Sequence, residues 1–282
     1  MRVSAVLGAI VVTLAAATAG IVSLFLVLPT WWPFWSLISI ALAVTVVKEI
    51  NDAEATMLDA AKASRVDKEQ VPELHELVAR VAGMLDVPVP EIAVTRTQIP
   101  NGFVVGKRRS RSTVMVSDDM RRRLTAEELE AALAHELAHV ANRDSAVMTL
   151  ASVPRVVGLE LFASESSLFY LWYFLWPVGF VLYAWGSLLT RAISRYREYA
   201  ADTGAALATG RPETLMSALQ KLAEGIEGIP REDLRRMEAL NPLFIVSVRK
   251  PHTIEFLMDH PPLERRLARL ASIAREMGRP HH

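Results

Sequence analysis

The stretch that decides the fold of this chain is TAEELEAALAHELAH, residues 125–139. Thr125 and Glu128 have the spacing of a capping box, which marks the first turn of a helix. The Ala- and Leu-rich run that follows favours helix, and Asn142 to Asp144 have the polar character of a helix end. The sequence therefore predicts one helix from Thr125 to about Asn142–Asp144.

His135, Glu136 and His139 lie on this predicted helix. Residues four apart share a helix face, so His135 and His139 could both bind one metal ion. Glu136 could reach the water that the ion binds, as in the H-E-x-x-H arrangement of zinc hydrolases. The alternative is two surface histidines on an Ala-rich helix.

A catalytic zinc site takes three protein ligands and leaves one position for water. The chain has no Cys, so its metal ligands must be His or carboxylate side chains. Glu198 and Asp202 are four apart and would share a face of a second helix. Glu198 could bind zinc, and Asp202 could accept the free ring N–H of a ligand histidine. An exposed acidic pair balanced by Arg195 and Arg197 is the alternative.

The composition indicates that the chain combines long apolar segments with a polar, charged part. Hydrophobic residues make up 51% and charged residues 22%, with a formal net charge of zero, so there is no basic excess that would support nucleic-acid binding. No charged residue lies between Val3 and Val47, and this run is long enough for two membrane spans separated by a Trp-rich turn at residues 28–33. A signal peptide is disfavoured, because the apolar run continues through Leu28 and a second run follows.

A second apolar region covers residues 146–190. Ser166 to Thr190 is uncharged and long enough to span a bilayer, whereas the segment before it contains Arg155 and Glu160. That earlier segment is either a fourth span or a partly embedded helix. Lys and Arg are absent from residues 29–33 and 164–167 but flank the other ends of the spans, so the positive-inside rule predicts cytoplasmic termini and a cytoplasmic polar part.

Several ordered motifs resemble HtpX-type integral-membrane zinc metalloproteases, in the gluzincin group that includes the zinc-dependent CAAX prenyl protease. They are the two N-terminal spans, the H-E-x-x-H helix, the apolar hairpin before the Arg-Glu-Tyr-Ala-Ala-Asp segment at 197–202, the Asn-Pro-Leu-Phe-Ile-Val segment at 241–246 and the His-Pro-Pro-Leu-Glu-Arg-Arg segment at 260–266. The resemblance implies one Zn²⁺ per chain held by His135, His139 and Glu198, with Glu136 as general base. It also implies cleavage of membrane or misfolded proteins in quality control.

The resemblance gives meaning to two further segments. Asn101, Gly102 and Phe103 occupy the place of the family's Asn-Ala-Phe stretch, where an edge strand beside the zinc pairs with extended substrate, and here Gly102 replaces the usual Ala. His260 resembles the His of the His-Pro-Pro motif, so it would stabilise the oxyanion of the tetrahedral intermediate or play a structural role at a helix start. Arg265 or Arg266 would pair with an acid of the core.

The expected fold is mainly α with a small β-sheet, a gluzincin-like protease domain and multi-pass membrane helices. Short strands are expected at residues 92–95 and 114–117. Residues 1–47 and 146–190 form the two membrane hairpins, and residues 48–145 and 191–282 form the catalytic parts. The protein would lie in the cell (inner) membrane, contact the lipid bilayer and act at the cytoplasmic face on protein or peptide substrates.

Two rival functions follow from the same residues. An intramembrane zinc protease would bury the H-E-x-x-H motif in a span, but Glu127 to Glu130 before it and Arg143 after it leave too short an uncharged segment. A non-proteolytic membrane scaffold or receptor would hold a structural zinc. An acid beside the ligands, Glu136, argues against that alternative because structural zinc does not need one. Prenylated CAAX substrates are disfavoured, because that branch has a larger bundle of spans.

Overall fold

The computed structural model describes residues 54–163, 169–230, 238–248 and 258–278, with isolated positions at 36, 37, 40, 44, 48, 52, 232 and 234. The predicted hairpin at residues 1–47 therefore lies outside the described residues, apart from four of those positions. The chain falls into two compact units. One comprises Met1–Asp52 and Val147–Ile193, and the other comprises Ala53–Ala146 and Ser194–His282.

The second unit contains a four-stranded sheet. Its strands are β1 (Ala63–Arg65), β2 (Glu91–Thr95), β3 (Gly102–Arg108) and β4 (Arg111–Ser117), arranged in the order β1-β2-β4-β3. β2 runs parallel to β4, whereas β3 and β4 form an antiparallel hairpin. The predicted small sheet is thus confirmed, and β3 lies at an edge of the sheet among the described strands.

Gly106 shows why the β3–β4 hairpin needs a glycine. Its φ is +154°, and a Cβ atom there would lie 2.4 Å from the backbone oxygen of Arg111. No side chain fits that space, and the pairing of the two strands is irregular between Gly106 and Arg108. Gly106 also lines a cavity beside β3.

Among the described residues, seven α-helices have defined bounds. In chain order they are α1 (Pro72–Met84), α2 (Asp118–Arg123), α3 (Ala126–Ala141), α4 (Asp144–Ala163), α5 (Phe169–Thr209), α6 (Pro212–Glu227) and α7 (Leu263–Met277), with a 3₁₀ segment at Glu238–Leu243. The mainly α fold with a small sheet is as predicted.

Helix α3 lies at the centre of the second unit, in contact with α1, α6 and β3. It begins with the predicted capping box, in which Thr125 Oγ1 accepts from the Glu128 backbone and the Glu128 side chain accepts from the Thr125 backbone. Leu133 and Leu137 are completely buried, and burial of one such side chain stabilises the fold by about 2 kcal/mol. Alanines at the other buried positions allow the neighbouring elements to approach closely.

In the first unit, α4 and α5 approach each other through two glycines. A Cβ atom at Gly158 would lie 2.3 Å from the backbone nitrogen of Tyr183, and one at Gly186 would lie 2.4 Å from that of Arg155. Within the part of the chain that the structure describes, no helix is both long enough and apolar enough to cross a membrane. The described residues within 146–190 are helical, and the spans expected there stay predictions.

Candidate metal centre

Helix α3 brings three candidate site residues together. The ligand atoms of His135, Glu136 and His139 all lie within 4.8 Å of one another, and all three residues are buried. The imidazole rings are 4.9 Å apart between centroids and nearly perpendicular, at 86°. This follows from local geometry, because residues i and i+4 stand one above the other on a helix.

Helix α5 supplies Glu198 to the same place. Glu198 Oε2 lies 3.6 Å from His135 Nε2, and Glu198 Oε1 lies 3.7 Å from His139 Nε2. Ligand atoms that are 2.0–2.1 Å from a tetrahedral zinc are about 3.4 Å apart. The spacing of these three side chains therefore fits a single zinc ion.

Unsatisfied polar atoms support the same fit. His135 Nε2, Glu136 Oε2, Glu198 Oε2 and His260 Nδ1 are buried and make no hydrogen bond with the protein. A buried polar atom without a partner is costly, so several of them facing one point indicate a ligand there. The donor set of imidazole nitrogens and carboxylate oxygens is one that zinc accepts.

Each histidine is oriented by a carboxylate behind it. His135 Nδ1 lies 2.9 Å from Asp202 Oδ1, and His139 Nδ1 lies 2.6 Å from Asp144 Oδ2. A ring N–H that donates from Nδ1 leaves the Nε2 lone pair directed towards Glu198. Asp202 was expected in such a role, whereas Asp144 was expected only to mark the end of the helix.

Asp144 could have been recognised from its position. It comes five residues after His139, where the helix must end, and it is 4% exposed. Its Oδ2 atom also lies 3.0 Å from Arg197 Nε, so a cation one residue before Glu198 holds this carboxylate in place. An acid at that distance from a ligand histidine is the signal that sequence reasoning missed.

Arg266 connects the two helices from α7. It is 2% exposed, and its Nε and Nη2 atoms donate to the two oxygens of Asp202 at 2.8 and 2.7 Å. Its Nη1 atom donates to the backbone oxygen of Ile245 and lies 3.2 Å from Glu198 Oε2. Of the two arginines considered from sequence, Arg266 is therefore the one that pairs with an acid of the core.

This arginine sets the charge of the carboxylates around it. Burial raises the pKa of Asp202, but the Arg266 guanidinium and the hydrogen bond with His135 outweigh burial and lower it. Burial likewise opposes ionisation of Glu198, yet His260, His135 and Arg266 hold its pKa well below the usual range. Both carboxylates are thus anionic, as a metal site requires.

The two histidines respond differently to burial. Burial lowers the pKa of His139 because it disfavours the charged ring. Burial acts in the same direction on His135, but its hydrogen bond with Asp202 and the nearby Glu198 carboxylate raise its pKa to about 9. The acids around His135 therefore outweigh burial and the Arg266 guanidinium and favour a proton on its ring.

Glu136 lies beside the two histidines and next to β3. Burial, with the nearby charge of Glu198, raises the pKa of Glu136 to about 8. The backbone of Val104 in β3 hydrogen-bonds to this carboxylate. A carboxylate with a raised affinity for protons beside an edge strand is suited to general-base chemistry.

The remaining site residues predicted from sequence are His260 and the β3 segment of Asn101, Gly102 and Phe103. His260 is buried, its Nε2 atom donates to the backbone oxygen of Asn241 at 2.6 Å, and its Nδ1 atom lies 3.5 Å from Glu198 Oε2. Phe103 is completely buried, with its ring 6.0 Å from that of Phe244. At this position, β3 could therefore contact a substrate through its backbone and not through the Phe103 side chain.

The Asn101 side chain is also used inside the protein. Its Oδ1 atom accepts from the backbone nitrogen of Ile245 at 2.9 Å, and its Nδ2 atom donates to the backbone oxygen of Val246 at 2.7 Å. These bonds attach the start of β3 to the segment that also binds Arg266. The family motif at Asn101 thus has a structural contact that its sequence alone did not reveal.

The chain is similar to a known family of peptidases. The model of peptidase family M48 matches residues 68–274. Protease HtpX homolog 1 of Streptomyces coelicolor is 38% identical over 257 residues, which cover 86% of this chain and 84% of that protein. The Protease HtpX homolog of Moorella thermoacetica is 39% identical over 236 residues, and Protease HtpX homolog 2 of Methanosarcina mazei is 36% identical over 230; each match covers 76% of both chains.

A solved structure shares the fold. S. mikatae Ste24p matches with a TM-score of 0.55 at 18% sequence identity, over 93% of this chain and 64% of that chain. This chain thus spans less than two thirds of the length of Ste24p. The matched family region contains both helices of the candidate centre as well as Arg266. Together with the H-E-x-x-H cluster in α3, this confirms the resemblance to HtpX-type proteases: the chain belongs to peptidase family M48 and is a zinc metalloprotease.

Proposed function

We propose that the chain is a membrane-bound zinc endopeptidase that cleaves membrane or misfolded proteins at the cytoplasmic face, in protein quality control. The observation that carries the proteolytic part is the convergence of His135 Nε2, His139 Nε2 and the Glu198 carboxylate at 3.6–3.7 Å, with Glu136 beside them. These three side chains would hold one Zn²⁺ per chain. Glu198, rather than Glu136, is the proposed third ligand because its oxygens approach both Nε2 atoms.

Zinc bound there would lower the pKa of its water towards about 7 and polarise the scissile carbonyl. Glu136 accepts the proton of the attacking water and returns it to the leaving amine. Asp202 and Asp144 keep the two imidazoles in the orientation that the site needs. His260, next to Glu198, would stabilise the negative charge that develops on the carbonyl oxygen.

Substrate would bind in extended form along β3, with Asn101, Gly102 and Phe103 at the start of that strand. β3 is at the edge of the sheet among the described strands, and an edge strand offers unpaired backbone donors and acceptors to a peptide. The hydrogen bond from Val104 to Glu136 supports this placement, because it brings the strand to the proposed base.

The test of the proteolytic function is Glu136→Gln. The variant should keep its fold and its zinc, because the substituted side chain is nearly the same size and is not a proposed ligand. Its cleavage of casein should fall by a factor of about 10² to 10⁴, the usual contribution of a general base. Zinc content by metal analysis is measured in parallel, and Glu127→Gln, an exposed neighbour on the same helix, is the control. Wild-type cleavage by purified Glu136→Gln would refute the assignment.

The membrane part of the proposal rests on the uncharged runs at residues 3–47 and 166–190 and on the distribution of Lys and Arg. His139 and Glu198 each lie close in sequence to the predicted hairpin at 146–190, so the site would open near the bilayer. The chain would be a multi-pass protein of the cell (inner) membrane with both termini in the cytoplasm.

Labelling of single cysteines tests this topology, since the chain contains none of its own. Ser166→Cys, in the predicted outer turn, should react with an impermeant maleimide added to intact spheroplasts. Ser64→Cys, at an exposed position of the catalytic unit, should react only after lysis. The opposite pattern would place the catalytic unit on the other side of the membrane.

A further inference from the structure

A cavity of about 730 Å³ lies along the second half of β3. Its walls come from Val104 to Gly106, from the turn between β3 and β4, and from the end of α3. Val104 hydrogen-bonds to Glu136, and His139 also lines the cavity. The cavity therefore borders the candidate metal centre at His139 and extends towards the β3–β4 turn.

Two arginines line this cavity, Arg109 and Arg143. Arg109 Nη2 donates to the backbone oxygen of Asp86 at 2.7 Å, but its buried Nε atom has no hydrogen-bond partner. Arg143 is exposed and has a left-handed backbone, with φ of 57°. Among the described residues, no carboxylate lies within ion-pair distance of either guanidinium. Both positive charges are thus available to a ligand.

A buried hydroxyl points to the same kind of ligand. Ser112 in β4 is 6% exposed and lines the cavity. Its Oγ atom is buried and has no hydrogen-bond partner. A hydroxyl in that state is unfavourable unless a ligand accepts its proton. Ser112 and Arg109 thus both line the cavity, and each has one buried donor without a partner in the protein.

The rest of the lining decides which acid would fit. Val87, Pro88 and Val105 make part of the wall apolar, which suits the methylene groups of a long side chain. Asp86 is the one carboxylate in the lining, and it is exposed, so solvent and salt weaken its effect on a bound anion. A glutamate side chain matches both the apolar wall and the donors.

We infer that this cavity is a specificity subsite that binds an acidic side chain of the substrate, glutamate in particular, on the N-terminal side of the cleaved bond. The inference rests on the proposed function, in which substrate pairs with β3. Val104 lies at Glu136, and Val105 and Gly106 lie further along the strand. A substrate that pairs antiparallel to β3 runs the opposite way, so the residues beside the cavity precede the bond that is cut.

Paired peptides test the subsite by binding as well as by cleavage. The probes are fluorescent octapeptides of alanine and leucine that carry one Glu, or instead one Gln, two to four residues before the central bond. Binding to the full-length Glu136→Gln protein is measured by fluorescence anisotropy, and kcat/KM is measured with the wild type. The best Glu peptide should be preferred about tenfold over its Gln partner, as for one charge-assisted contact, and 0.5 M NaCl should reduce the preference.

Three variants assign the preference to the cavity. Arg109→Gln and Ser112→Ala should each reduce the Glu-to-Gln ratio several-fold, and Arg143→Glu should shift preference towards a Lys peptide. Ser112→Ala only removes a buried hydroxyl that has no partner in the protein, so it should fold normally. Arg122→Gln removes an equal charge outside the cavity, from an arginine that pairs with Asp119, and should keep the ratio.

The outcomes separate the subsite from the proteolytic function. A tenfold binding preference without any Glu136-dependent cleavage would support the subsite and refute the proposed function. Glu136-dependent cleavage with equal binding and equal kcat/KM for the two peptides would refute the subsite alone. The subsite is also refuted if the ratio is unchanged in Arg109→Gln and Arg143→Glu, or if neither peptide binds at millimolar concentration.

Discussion

Helix α3 and the C-terminal segment around Asn241, His260 and Arg266 contribute to the same centre in different ways. In α3 the cap, the buried face and the three candidate site residues all belong to one run of residues, 125–139. In the C-terminal segment, the buried side chains of His260 and Arg266 reach Glu198 and Asp202, which lie more distantly in the chain on α5. A substitution in a local motif mainly affects that motif. Loss of one side chain from a buried network of distant residues leaves its partners unsatisfied, so we expect a larger loss of stability.

The largest effect is expected for Arg266→Met. The substitution leaves the buried carboxylate of Asp202 without its bidentate partner, and loss of one member of a buried ion pair costs about 3–5 kcal/mol. The midpoint of thermal unfolding should fall clearly, while Arg265→Met, at an exposed neighbouring position, should change it little. An equally small change in both variants would show that the C-terminal network is not needed for stability.

A smaller loss is expected for Asn101→Ala. Ala cannot bond to the Ile245 nitrogen or the Val246 oxygen, and both backbone groups would be left unsatisfied in a buried site. We expect a loss of about 2 kcal/mol in the free energy of unfolding. Asn142→Ala, at an exposed position after α3, is the control and should cost less than about 0.5 kcal/mol. Equal losses of stability in the two variants would show that the long-range hydrogen bonds of Asn101 contribute no more than an exposed side chain.

Asp144→Asn and Asp202→Asn test how the two histidines of α3 are oriented. Each variant weakens the hydrogen bond that orients one histidine, and loss of such a partner lowers metal affinity about 10- to 100-fold. Zinc affinity is measured by competition with a chromophoric chelator. Asp118→Asn, whose carboxylate pairs with Arg121 on the surface, should leave it unchanged. Unchanged affinity in Asp144→Asn would show that His139 does not need this carboxylate.

The smallest effect is expected at the cap of α3. Burial raises the pKa of Glu128, but its hydrogen bonds with Lys221, Ser217 and the Thr125 backbone lower it below the ordinary 4.5. A lowered folded-state pKa means that the stabilisation is complete above pH 4.5 and is lost as pH falls through the folded value. Glu128→Gln should therefore cost about 1 kcal/mol at pH 7 and nothing below the folded pKa.

The check is urea unfolding of both proteins at a series of pH values from 7 downwards, with Glu127→Gln as the exposed control. A stability difference that grows as pH falls would contradict the direction of the Glu128 shift.

Much of the fold was open to prediction because its signals are local. The capping box at Thr125 and Glu128 was predicted and is present, as are the strands at residues 92–95 and 114–117. The pairing of Arg266 with a core acid was only one of two possibilities in the sequence, because Arg265 and Arg266 are adjacent. Their positions on α7 decided which side chain faces inward.

Asp144 and the cavity beside β3 were not predicted. In the sequence, Asp144 looks like an ordinary polar residue at a helix end. Its partner Arg197 comes next to it only through α5. The cavity joins residues from the β3–β4 turn, the loop at Asp86 and the end of α3. No pattern of neighbouring residues marks such a place, because its donors meet only when three separate segments are packed.

The sequence by itself determined the H-E-x-x-H helix and the family, since the helical repeat places His135 and His139 on one face without help from the rest of the chain. Only the tertiary structure decided that Glu198 meets both histidines, that Asp144 and Asp202 stand behind them and that Arg266 connects them to Ile245. The physical reason is distance along the chain. Contacts between residues dozens of positions apart form only when packing makes their burial and pairing favourable together.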